Sequence, residues 1–323
     1  MPCLITECSP ISELQRFGVA LLGLYAYHFL WDSLLIAPFA DYLVRHGHMG
    51  KDKRDKFRES AWKNAAVGTF FLFGLYIGHD KDWWMNPKGY FVDWPYNAPE
   101  PLRWYYMIYL SFWLQSIDFM LNLTNKHYIV KRKDNAEMLL HHFATISLMI
   151  FSYSYDLTRI GMCVLMIHDV NDLLLETAKI FVYLNWETTA NILFGIFAVV
   201  WFIVRWAFYG YNILYSVYTE AYDSIVEPIL KNGSYGGYPS SVWYWFWVVF
   251  SSFLGLLLVL HIFWGVLIVK MIVRSLQVGA VEKDIRSDSE ADEEDEEPVQ
   301  ATTTAATAPD SGKVKRRRAP KAD

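Results

Sequence analysis

The sequence predicts an all-α polytopic membrane protein with about seven transmembrane helices and a disordered C-terminal tail, acidic then basic. Three observations carry the prediction. Hydrophobic residues fill 54% of the 323 positions and aromatics 17%. The apolar residues gather into runs near the roughly 20 residues that a bilayer-crossing helix needs. Lysine and arginine concentrate in alternate connecting segments, the pattern that sets membrane orientation. Neither a soluble domain nor a nucleic-acid partner is expected from this composition, with its net charge of -5.

Along the chain, residues 1–16 form a short N-terminus placed on the lumenal side, residues 17–276 the membrane domain and residues 277–323 the cytosolic tail. No basic region followed by a short apolar core precedes the first span, Phe17–Phe39, so that span is expected to direct insertion itself. Asp41–Lys63 carries Arg45, Lys51, Lys53, Arg54, Lys56, Arg58 and Lys63 and reads as cytosolic. Within it Lys51–Lys63 reads as an amphipathic helix in the membrane surface that runs into the second span, with Phe57, Ala61 and Trp62 as its apolar positions.

The second span, Ala61–Gly78, leads to a far-side loop whose Trp83, Trp84, Tyr90, Phe91, Trp94 and Tyr96 suit the headgroup region. Trp104–Leu123 is the third span, and the segment after it is cytosolic by Lys126, Lys131, Arg132 and Lys133. Met138–Tyr155 and Ile160–Leu184 follow as an antiparallel pair. Ala190–Val217 and Val242–Val269 exceed what a perpendicular helix needs, which predicts tilt or extension.

Between those last two, Glu220–Ser240 reads as a far-side loop with a flexible Asn232–Tyr238 stretch, and Asn232-Gly233-Ser234 is a lumenal glycosylation sequon. Asn122-Leu123-Thr124, at the cytosolic edge, should stay unmodified. The tail holds an acidic run (Glu282–Glu297), a Thr/Ala run and a basic end (Lys313–Lys321), too polar to fold alone. Ser287 and Ser289 precede acidic residues and are phosphorylation candidates, while the basic end suits anionic membrane lipids. Cys3, Cys8 and Cys163 form no disulfide or metal framework.

The chemistry-bearing residues sit at membrane depth. In a helix through Ile160–Leu184, His168, Asp169, Asp172, Glu176 and Lys179 fall within an arc of roughly 100°, with Asn171 outside it. On the preceding span His141, Thr145, Leu148 and Ser152 share one face. Lipid cannot satisfy such a stripe, so the two faces must meet in the bundle interior, around a cavity expected to open towards the cytosol.

Interhelical glue is one reading of this set. A metal centre is disfavoured, because the nine histidines are scattered along the chain with no histidine-box set. Acid–base or nucleophilic catalysis on a lipid is the third, since a neutral imidazole can accept a proton or attack a thioester and a carboxylate can fix its tautomer. Adjacent histidines on a helix point about 100° apart, so His141 and His142 should hold different jobs. Arg205 is a second intramembrane charge, with Asp172, Glu176 or Asp118 as candidate partners in a structural or substrate-linked ion pair.

The stretch His141–Lys179 resembles the longevity-assurance motif of ceramide synthases, the sphingoid-base N-acyltransferases of the endoplasmic reticulum. The matching positions are His141-His142, Ser152, Arg159, Gly161, His168-Asp169, Asp172, Glu176 and Lys179. Lys56–Lys63 and Trp83–Phe91 are similar to further family segments, so the resemblance covers essentially the whole membrane domain. No homeobox-like insert separates the first two spans, which is similar to the shorter plant or protist members.

The resemblance implies a TLC-type bundle that transfers the acyl group of a fatty acyl-CoA to the amine of a sphingoid base, with no cofactor beyond that co-substrate and no metal. It implies His141, His142, Asp169 and Asp172 as catalytic, with Ser152, Arg159, His168, Glu176 and Lys179 on the substrate side. It further implies a multi-pass protein of the endoplasmic reticulum and a homo- or heterodimer. The wider TLC-domain family also holds non-enzymatic members, so a lipid sensor, chaperone or transporter is the competing expectation; retention of both histidines and both aspartates argues against it.

Overall fold

Apolar runs separated by short polar connections leave the backbone little choice but to bond within itself, and nearly all of it does so as helix. The computed structural model of the protein describes residues 10–121, 123 and 134–278. In order these form α1 (Pro10–Trp31), a π-helical turn (Asp32–Ile36), α2 (Ala37–Arg45), α3 (Arg54–Gly78), α4 (Glu100–Met120), α5 (Asn135–Ser154), α6 (Thr158–Tyr183) and α7 (Glu187–Trp201). A long π-helical stretch (Phe202–Tyr215, then Val217–Val226), α8 (Glu227–Asn232), a hairpin of β1 (Ser234–Tyr235) and β2 (Tyr238–Pro239), and α9 (Ser240–Val278) complete it.

Among the described residues each of the seven apolar runs falls, to within three residues at its end, in one helix or helical rod. Among the described residues three rods, Ile11–Arg45, Glu187–Asn232 and Ser240–Ser275, are long and apolar enough to cross a membrane. The remaining runs lie in α3 to α6. Lys126, Lys131, Arg132, Lys133, the Asn122 sequon, Ser287, Ser289, the tail, Cys3 and Cys8 lie outside the described residues.

Two expectations are corrected. Residues 220–232 are helical rather than loop, because Val217, Ala221, Ile225 and Ile229 extend the buried stripe of Arg205, Tyr209 and Ile213 at every fourth position. A stripe of that period stays on one face only where each turn takes close to four residues, wider than the 3.6 of an α-helix, and this is where the backbone is π-helical. Beyond Gly233, which ends α8 in the left-handed region, Gly236 and Gly237 at φ 58° and 79° turn a paired hairpin in place of a flexible loop.

The second correction concerns Lys51–Lys63. Phe57 and Trp62 are buried against α1 and α2 rather than laid into a membrane surface, with Trp62 stacked on His28 at 4.0 Å and Phe57 against Phe39. Its continuity with the second span is as expected: from Arg54 the segment is part of α3 itself.

Two cores form, and α6 serves both. Ile160, Cys163 and Ile167 pack into a core with α5, the π-helical stretch and α9; Met162, Leu165 and Met166 pack into a core with α1, α3 and α4. Lipid is as apolar as leucine, so close packing and polar contacts rather than burial alone must hold the helices together. Asn64 of α3 donates to Thr177 (2.7 Å) and the Leu173 carbonyl of α6. Glu13 of α1, 2% exposed, accepts from Arg16, Arg103 and Tyr153, tying α1 to α4 and α5.

Candidate active site

With α6 buried on two sides, its polar residues have no route to lipid and must find partners on neighbouring helices. Asp169 accepts from the Tyr109 hydroxyl of α4. Asp172 accepts from Arg205 of the π-helical stretch at 3.0 Å, and its side chain stays 39% accessible while that of Arg205 is 4%. The same guanidinium donates to the His168 carbonyl (3.1 Å), lies 3.3 Å from His261 Nε2 and sits over the Trp201 ring. The buried charge is therefore paired and held by further donors and acceptors, as desolvation demands.

The imidazoles form a chain. His168 Nδ1 lies 2.6 Å from the Val164 carbonyl, which only accepts, so the proton is on Nδ1 and a neutral ring leaves Nε2 as an acceptor. His261 Nε2 of α9 faces that nitrogen at 3.0 Å. On α5, His142 Nδ1 likewise donates to the Met138 carbonyl at 2.6 Å, which makes Nε2 its basic nitrogen.

His141 differs: its ring is buried between Trp113, Trp264 and His168, with centroids 5.6, 5.4 and 6.4 Å away, and its Nδ1 has no protein partner. Trp264 is fixed in turn by donation to Asp134 at the start of α5 (3.1 Å).

Below this cluster lies a cavity of about 570 Å³. His168, Asp169 and Trp113 stand at one end, and Leu148, Val164, Leu165, Leu254 and Leu257 line its length. Ser152 and Gly161 close the other side, where a methyl on Gly161 would sit 3.1 Å from the Tyr106 ring and 3.0 Å from Ser152 Oγ. The arrangement sets a proton acceptor and a network of donors beside a slot shaped for hydrocarbon.

Sequence reasoning places His141, His142, His168, Asp169 and Asp172 together; in the structure His168 and Asp169 line one end of the cavity, the His141 ring lies against those of His142 and His168, and Asp172 stands one turn beyond His168 without lining the cavity. It does not pair the carboxylates with imidazoles: Asp169 takes a phenol and Asp172 a guanidinium. Of the candidate partners of Arg205, Asp118 is corrected, since it accepts from Tyr25 at 2.6 Å on the far side of α4. Arg159 is also apart from the cluster, stacked on Tyr96 at 3.8 Å and donating to the Gly89 and Val92 carbonyls of the 79–99 loop.

Ser152 lines the cavity and shares a bond with Tyr106 (3.1 Å), whereas Glu176 and Lys179 pair with each other at 3.1 Å one or two turns beyond Asp172. Asn232 is exposed at the end of α8. His261, Tyr109, Trp113 and Trp264 were not singled out from sequence. His261 had a signal, being the ionisable residue inside the most apolar span; among 21 tyrosines and 14 tryptophans the others had none.

Comparison with known proteins identifies the family. A family model described as the TLC domain matches residues 56–270. Ceramide synthase 4 of Homo sapiens is 35% identical over 247 residues, which span 76% of this chain and 57% of that protein. Ceramide synthase 1 LOH3 of Arabidopsis thaliana is 31% identical over 312 residues, 90% of this chain and 96% of its own length. ASC1-like protein 1 of Oryza sativa is 31% identical over 297 residues, 85% of this chain and 91% of its own.

Proposed function

Because this chain belongs to the TLC-domain family, we propose that it is a ceramide synthase, transferring a fatty acyl group from acyl-CoA to the amine of a sphingoid base. The observation that carries the proposal is the junction of two unlike environments: a buried polar cluster, in which the His141 ring lies against that of His168, and an apolar slot that His168 and Asp169 line at one end. Acyl transfer between two lipids needs both.

The acyl chain lies in the slot with its thioester beside His168 and Asp169, and the long-chain base arrives from the bilayer. His141 takes the ammonium proton and releases it to solvent, the free amine nitrogen bonds to the thioester carbon, His141 takes the second proton from that nitrogen, the carbon–sulfur bond breaks, and the departing thiolate recovers this second proton from the imidazolium. Amide and free CoA are the products. If His141 attacks first, an acyl-imidazole forms and CoA leaves before amine is added.

His168, its Nδ1–H on the Val164 carbonyl and its Nε2 against His261, fixes the wall beside the thioester, while Tyr109 and Arg205 hold the two aspartates toward the incoming ammonium. Seven spans, a lumenal N-terminus, a cytosolic tail, residence in the endoplasmic reticulum and a dimeric assembly belong to the same proposal. Lys131, Arg132 and Lys133 would draw the CoA phosphates from the cytosol.

Microsomes containing the protein are given palmitoyl-CoA and sphinganine. Dihydroceramide is the expected product, and thioester consumption without amide would refute the assignment.

A further inference from the structure

Two apolar cavities succeed one another along α9, and Phe250 is a wall of both. The first, described above, runs from His168 past Leu257 and Leu254 to Phe250. The second, about 410 Å³, lies beyond Phe250 among Tyr155, Val217, Ala221, Ile225, Trp243 and Phe246. Phe250 is 4% exposed, its ring lies near-parallel to Phe246 at 6.0 Å, and Phe246 stacks on Tyr155 at 3.7 Å. A rank of flat rings thus separates two spaces that would otherwise be one.

The second cavity is suited to hydrocarbon alone. Its lining carries no charge, and its three indole N–H groups are already committed, Trp94 to the Tyr155 carbonyl, Trp243 to that of Tyr235 and Trp247 to that of Val217. Apart from the Tyr155 hydroxyl, a polar ligand would find nothing to bond there.

Distances along α9 turn the partition into a length. Eleven residues separate His261, which is bonded to His168, from Phe250; at 1.5 Å per residue that is about 16 Å. A saturated chain advances about 1.2 Å per bond, so roughly thirteen carbons fit before Phe250, close to a palmitoyl chain once the carbonyl end is counted. From Phe250 to Trp243 is seven residues, about 10 Å, or room for roughly eight more carbons.

We infer that Phe250 sets the acyl-chain length this protein accepts, confining the chain to the first cavity and holding the second in reserve for a tail of lignoceroyl length. The inference rests on the acyltransferase reading above.

The test is N-acylation of sphinganine in microsomes with palmitoyl-CoA and lignoceroyl-CoA, each variant first shown to be folded by gel filtration in detergent. The wild type forms more product from palmitoyl-CoA. Phe250→Ala raises the lignoceroyl-to-palmitoyl product ratio by about tenfold or more, the scale on which a pocket discriminates chains differing by methylenes. Adding Ala221→Phe to Phe250→Ala refills the second cavity and returns the ratio towards wild type. Should Phe250→Ala not accumulate as folded protein, Phe250→Leu shifts the ratio in the same direction by less.

A wild-type preference for lignoceroyl-CoA, an unchanged ratio in a folded Phe250 variant, or no reversal by Ala221→Phe overturns the partition while leaving acyl transfer intact. A wild type that acylates sphinganine from no acyl-CoA overturns both.

Discussion

At the scale of single residues, the imidazoles are told apart by what holds them. His142 and His168 each donate Nδ1–H to a carbonyl one turn back, the local bond any helical histidine can reach. His141 has none, and its neighbours are aromatic rings, which leaves its nitrogen for substrate. His261 acts through His168 and is a positioning residue. His261→Leu should lower turnover about tenfold, the equivalent of about 1.4 kcal/mol, by leaving His168 Nε2 unsatisfied. His261→Gln, whose amide can still donate, should recover most of it, and equal loss in both variants would make the contact irrelevant to turnover. The polar stripe on α6 was legible in the sequence because charge is costly at membrane depth. Of its partners, Arg205 on Asp172 was among the candidates the sequence offered, as a second charge at that depth; the Tyr109 phenol was not legible, because spacing along one helix says nothing about which phenol a neighbouring helix presents.

At the scale of elements, the turn between α5 and α6 fixes the register that brings His141 beside His168. Asp156 occupies that turn at φ 53°, 5% exposed, and burial pushes its carboxyl from the ordinary 3.8 up to about 6, against the pull of the Arg103 guanidinium. The fold holds this proton more tightly than the unfolded chain does. Its stabilising contribution is therefore complete below about 3.8 and is lost as pH rises through about 6. Thermal unfolding in detergent should show stability falling across that window, and Asp156→Asn should flatten the fall; an identical slope would contradict the assignment.

One turn into α6, Gly161 lets Tyr106 and Ser152 approach. Gly161→Ala should cost about 1–3 kcal/mol through forced separation of α4, α5 and α6, seen as a lower unfolding temperature. An unchanged unfolding temperature would mean that the helices are not in close contact there. Helix existence and order were legible from apolar runs. The π-helical course of 202–226 was not, since no residue type marks a widened turn and the fourfold stripe shows its meaning only once packed.

At the scale of the whole molecule, hydropathy and basic residues yield a topology, and side chains then decide which helices meet. The central place of α6 between two cores could not be read from composition, because its neighbour α3 is distant in sequence. Topology is testable at Asn232, exposed after α8. A glycan removable by endoglycosidase, and lost in Asn232→Gln, is expected if that end of the bundle is lumenal. Modification at Asn122 instead would invert the orientation.

The claim on which the rest depends is that the cluster at the mouth of the apolar slot performs acyl transfer. The most direct measurement is dihydroceramide formation from palmitoyl-CoA and sphinganine by the intact protein, His141→Ala and Asp172→Asn, in microsomes at matched folded expression. The intact protein should form product, with each variant reduced by about a hundredfold or more, the usual weight of a positioned proton acceptor and the weight expected of the carboxylate held toward the ammonium. Near-normal turnover in His141→Ala, with the protein folded, would contradict it.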